Sequence, residues 1–159
     1  MIKKIWKKNQ DAIWVSGHHW TNSFWWNLKK CIFETPYPLC SICNDIDDLP
    51  HFFFNCNYVK QFWISLTSWI NSILNTAYIL EAHDILFGIA GRSDLIHVVN
   101  FIILHAKFYI YWQRIKDAHE LQIASLKNQL KVKLTIEKII SEKNNPRIFA
   151  KFQPVLDSL

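Results

Sequence analysis

Glycine is scarce, at three residues in a chain of 159. A phosphate-cradling loop needs several glycines close together, so a P-loop NTPase or a dinucleotide-binding Rossmann enzyme has too little material here. A secretory leader is missing too: MIKKIWKKNQDAIWVSG carries charge, but no continuous apolar run precedes a small-residue cleavage site. That favours a reducing intracellular compartment, cytoplasmic or nuclear, and a chain that is not secreted. Residues 95–112, LIHVVNFIILHAKFYIYW, come nearest to a membrane span. His97, Asn100, His105 and Lys107 interrupt the stretch, whereas a span wants about 20 apolar residues. A buried helix is expected there, with no membrane partner. No internal repeat and no low-complexity run is visible.

What the chain does have is apolar and aromatic mass. Half of its residues are hydrophobic and 15% are aromatic. A chain of this length can remove roughly 70% of its unfolded surface from water in one core. The formal charge of +5 is unevenly spread. Lys3, Lys4, Lys7, Lys8, Lys29 and Lys30 face only Asp11 in the first thirty residues, the middle is acidic, and the basic excess returns after residue 96. Solvated helix faces and phosphate-contacting surfaces both produce such a pattern.

Three regions follow. Residues 1–37 form a tryptophan-rich basic arm, extended or irregular, with Trp6, Trp14, Trp20, Trp25 and Trp26 at no regular period and CIFETPYPLC leading out of it. Residues 38–57 hold a cysteine and histidine cluster. Residues 58–159 are a helical region packed on that cluster. In it, Val59, Phe62, Trp63, Leu66, Trp69, Ile70, Ile73 and Leu74 recur at helical spacing. Asn57 is the expected cap of that helix. Residues 75–93 read as a connection, with helices expected from Asp94 to His119 and from Gln122 to Lys143 and a short docking turn at Phe149, Phe152 and Leu156. The fold class is mainly α: a small metal-bound turn followed by a bundle of about three helices.

The cluster is CSICNDIDDLPHFFFNC, with Cys40, Cys43, His51 and Cys56 in the order C-x2-C-x7-H-x4-C. Two cysteines separated by two residues present both sulfurs from one tight turn, and three sulfurs with one imidazole suit a closed tetrahedral zinc shell. Such a shell leaves no open position for a substrate water, so the zinc is structural. A disulfide is disfavoured by the reducing compartment. An empty site and redox cysteines stay as alternatives. Zinc would contribute on the order of 10 kcal/mol to ordering the loop. Cys31 lacks a partner at ligand spacing and reads as a small buried hydrophobe. The adjacent His18 and His19, and His97 and His105 eight residues apart, read as core or surface residues. Farther along, Lys127, Lys131 and Lys138 fall within about 40° of one another on a helix turning 100° per residue, a stripe able to track the phosphates of RNA or DNA.

The run PLCSICNDIDDLPHFFFNCNYVKQFW resembles the zinc-binding segment near the C-terminus of reverse transcriptases from non-LTR (LINE-type) retrotransposons. The pieces ILFG, NFIILHAKFYIYWQR and FAKFQPVLDSL resemble the tail that follows it, so the likeness extends from about Pro38 to Leu159. Its most specific parts are the four ligand positions and Phe62-Trp63. Residues 1–30 depart from the Lys/Arg-containing helical lead-in of that family. The resemblance implies Cys40, Cys43, His51 and Cys56 as zinc ligands, and a noncatalytic module that assists RNA or DNA binding in target-primed reverse transcription. Its partners would be nucleic acid and the remainder of the reverse transcriptase polyprotein, with no small-molecule substrate. The family's paired polymerase aspartates and its endonuclease are not found here; Asp47 and Asp48 sit between ligand pairs. The alternatives are a zinc-stabilised helical protein-interaction module and a nonfunctional element fragment.

Overall fold

The computed structural model describes residues 39–116, 120–144 and 146–159. The expected N-terminal arm, its tryptophans and Cys31 lie outside them. The described residues form three long helices, three short ones and a metal-binding type of loop ahead of them, with no strand longer than an isolated bridge between Leu39 and Ile46.

Helix α1 spans Asn57–Leu74 and buries Val59, Phe62, Trp63, Leu66 and Ile70, as the three-and-four spacing requires. Its N-cap is Cys56, not Asn57, and no side chain bonds the free amides there. The reason lies in the preceding loop, where the Cys56 sulfur is committed elsewhere. The helix ends at Asn75 in the left-handed conformation, φ 51, which asparagine tolerates better than most residues. Asn71 then shapes the exit: its Oδ1 accepts from Thr76 Oγ1 and from the Tyr78 amide, and its Nδ2 donates to the Tyr78 carbonyl.

The connection contains a helix of its own, α2, Ala82–Phe87, whose first turn is closed by Asp84 accepting from the Glu81 amide. It stops at Gly88, φ 83, where a Cβ would come within 3.2 Å of the Asn100 side chain. Asn100 clamps that bend by bonding both the amide and the carbonyl of Ile89.

Helix α3, Asp94–Ile115, begins at Ser93, whose hydroxyl accepts from the Ile96 amide. It runs to Ile115, where Lys116 takes φ −87 and ψ 7 with its amide still on the Trp112 carbonyl; the expected continuation to His119 lies outside the described residues. By length and composition α3 could cross a membrane, yet half of its most apolar stretch is buried within the protein. Val99, Ile102, Ile103, Ala106 and Ile110 pack in the core with Leu66 and Ile70 of α1. Helix α4, Ile123–Asn144, adds Leu126, Leu130 and Leu134. Each fully buried leucine or isoleucine contributes about 1.5–3 kcal/mol from leaving water.

The chain closes with α5, Pro146–Phe149, a 3-10 turn Ala150–Phe152, and α6, Gln153–Asp157. Phe149 and Val155 are buried, and Phe152 lies 5.0 Å from Phe101 of α3 between ring centroids. The expected docking turn is therefore three short helical pieces.

Candidate metal centre

Two local devices bring the four ligand residues together. In the first, Cys40 donates its amide to the Asp45 carbonyl while the Asn44 amide returns to the Cys40 carbonyl, both at 2.8 Å. Asn44 takes φ 62 to make that bend. The second is a π-helical turn over His51–Asn55, opened by Asp48 Oδ1 accepting from the His51 amide at 2.7 Å and closed by the Cys56 amide on the His51 carbonyl. Residues five apart lie about 140° apart around an α-helix. A turn bonded from i to i+5 brings them round to one side, which is what the H-x4-C spacing needs.

The π turn is itself held by α1. Trp63 donates its indole N–H to the Phe53 carbonyl across a buried 2.6 Å bond. Phe53 is buried, and Phe62 stacks on Tyr109 of α3 with centroids 5.6 Å apart. The Phe62-Trp63 pair thus fixes the second ligand pair to the bundle.

The donor atoms of Cys40, Cys43, His51 and Cys56 lie within 4.8 Å of one another. Cys56 Sγ is 4.0 Å from both Cys40 Sγ and Cys43 Sγ, and Cys43 Sγ is 3.2 Å from His51 Nε2. A tetrahedron built on Zn–S and Zn–N bond lengths has edges of ~3.8 Å between sulfurs and ~3.6 Å from sulfur to nitrogen, so the four atoms fit such a shell. The titration behaviour points the same way. Burial opposes the Cys40 thiolate, but the amides of Cys43 and Ile42, with the His51 and Cys43 side chains, outweigh it and lower the pKa to about 6. At Cys43 the Asp45 amide favours the thiolate, yet burial together with Cys40 and Cys56 pushes it up to about 11. Neighbouring sulfurs cannot all carry charge without a cation among them. These four residues can therefore hold a metal ion, and among the described residues no other group of His, Cys, Asp and Glu side chains converges in this way.

Of the three aspartates between the ligand pairs, Asp47 and Asp48 have structural side-chain partners. Asp48 opens the π turn. Asp47 pairs with Arg114 at the end of α3, Nη2 to Oδ2 at 2.9 Å. Burial raises the pKa of Asp47 and the guanidinium opposes that rise. Arg114 also donates to the Phe52 carbonyl and the Cys40 sulfur. Spacing along the chain gave no sign of that role, because Arg114 stands 74 residues beyond Cys40.

All three lysines of the expected phosphate stripe lie on α4. Lys127 rests over the Trp69 ring, 4.8 Å from its centroid, and Lys131 donates to the Leu159 carbonyl at 3.2 Å. Lys138 is half-buried on the same side. His105 is half-buried, with Nδ1 2.9 Å from the Phe101 carbonyl, and desolvation lowers its pKa. His97 lies near Lys151 and Asp94. Neither histidine joins the cluster.

Comparison of the chain with protein families, with curated proteins and with solved structures finds no match.

Proposed function

We propose that this chain is a noncatalytic, zinc-centred helical module that assists RNA or DNA binding as the C-terminal part of a non-LTR retrotransposon reverse transcriptase. The observation that carries this reading is the convergence of Cys40, Cys43, His51 and Cys56 on one point, in a loop anchored by Trp63 of the Phe62-Trp63 pair. A shell of four protein donors stabilises a fold and leaves no position for an activated water. Zinc would supply a fixed charge centre that orders the loop. The module would work inside the cell, with the rest of the polyprotein as its partner.

Lys127, Lys131 and Lys138 are the residues assigned to phosphate contact. RNA and DNA anisotropy titrations across salt concentrations test the assignment. Changing all three to glutamine should weaken binding and flatten the dependence on log salt by up to about 2–3; equal retention at low salt would remove this face from the reading.

One observation favours a second reading, a zinc-stabilised protein-interaction module. Helix α4 exposes Val132, Ile136 and Ile139, which fall on the side away from its buried leucines at 100° per residue. Sedimentation of the chain with and without RNA separates the two: self-association or binding to polymerase fragments that ignores nucleic acid supports the second.

A further inference from the structure

Arg114 is 6% exposed at its side chain, and its partner Asp47 is 14% exposed. One guanidinium meets four groups. Nη1 donates to the Phe52 carbonyl at 3.0 Å, while Nη2 donates to Cys40 Sγ at 3.2 Å and to both Asp47 oxygens at 2.9 Å. The guanidinium carbon lies over the Phe52 ring, 4.2 Å from its centroid. Cys40 and Asp47 belong to the first ligand turn and Phe52 to the second, so a single side chain from α3 joins both halves of the centre.

We propose that Arg114 is a positioning residue that sets how tightly the centre holds its metal. The proposal rests on the zinc reading above. Three thiolates around a divalent ion leave one negative charge in a buried place, and a guanidinium N–H donating to one of those sulfurs stabilises that charge, while Asp47 balances the guanidinium itself. The same bond occupies a lone pair of Cys40, which makes that sulfur a weaker nucleophile. Groups that hydrogen-bond to metal ligands typically change metal affinity by about 10–100-fold. Only a planar fork serves here. Lysine offers a point charge that cannot reach a sulfur, a carboxylate and a carbonyl at once while stacking on a ring. Retention of the metal and docking of the loop on α3 are thereby one event.

The test compares the full chain with Arg114→Lys and, as a control for stability alone, with Leu134→Ala, which removes core volume from α4. Cobalt(II) titration against a competing chelator gives affinity, and its absorption bands report the ligand set. Arg114→Lys should keep the tetrahedral cobalt spectrum, lose about 10–100-fold in affinity, and alkylate faster at Cys40 in the metal-loaded state. Leu134→Ala should lower the melting temperature and leave affinity within a few-fold of the parent. Equal affinities for parent and Arg114→Lys would overturn the proposal, as would an equal loss in Leu134→Ala. A parent chain with no stoichiometric tetrahedral cobalt would instead sink the metal reading itself. Should Arg114→Lys not fold, nitrogen-15 spectra of the parent decide: the Arg114 guanidinium signals should shift when chelator strips the metal, and signals that stay in place overturn the proposal.

Discussion

The loop from Cys40 to Cys56 and the bundle that follows it are held together by different physics. In the loop Ile42 and Ile46 are exposed, as is Leu39 just ahead of it, while Cys40, His51, Phe53 and Cys56 are buried and Cys43 is half-buried. In the bundle the order is the usual one, with Leu66, Ile70, Ile102, Ile110, Leu130 and Leu134 inside. Apolar burial is concentrated in the bundle. The loop has little such burial beyond Phe53, so on the proposed metal reading its order depends on ligand chemistry and on what α1 and α3 reach across to it.

The sharpest way to break the comparison is to remove the metal. Chelation, or Cys56→Ser, should cost the loop on the order of 10 kcal/mol of ordering free energy. Amide exchange in residues 40–56 should then rise steeply while α3 and α4 stay protected. Exchange that rises equally throughout would show that the two regions are one cooperative unit. The next effect belongs to the bundle. Leu66→Ala, at a fully buried position, should destabilise the chain by about 2–5 kcal/mol, by the same amount with and without metal in chemical denaturation.

A smaller effect comes from Lys107, buried in α3, which donates to the Leu86 carbonyl near the end of α2. Burial lowers its pKa to about 8 from 10.5. The unfolded chain therefore binds the extra proton between those values, and stability rises with pH across that window. Below pH 8 both states are protonated and the whole penalty of burying the charge is present. One pKa unit is 1.36 kcal/mol, so a rise of about 2–3 kcal/mol is expected between pH 8 and 10.5, and it should be missing from Lys107→Met measured in parallel. Smallest of all is Ser93→Ala, which removes the cap on α3. It should lower stability by about 1 kcal/mol, read as a modest fall in melting temperature and no change in metal content.

The same division explains what could be read from the residues alone. The ligand set was legible because metal chemistry is local: C-x2-C-x7-H-x4-C lies within one short stretch. Helix α1 was legible because its apolar positions share one face. Its cap was misplaced by one residue, since Cys56, a member of the cluster, also starts the helix. Helix α2 was missed because six residues give too short a period to stand out. The closing turn was foreseen at Phe149, Phe152 and Leu156, though not its division into three pieces. Arg114 was out of reach for a different reason. A partnership across 74 residues depends on how α3 packs, and no spacing rule carries that information.

Separation along the chain also sets an order in time. All four ligands lie within residues 40–56, whereas Arg114 follows Cys40 by 74 residues. Synthesis proceeds at about 5–20 residues per second. The set is complete at Cys56, 58 residues before Arg114, and so emerges about 3–12 s ahead of the arginine that ties it to α3. During that interval a nascent chain can capture an ion, or lose it to a competing thiol, before α3 arrives to hold it.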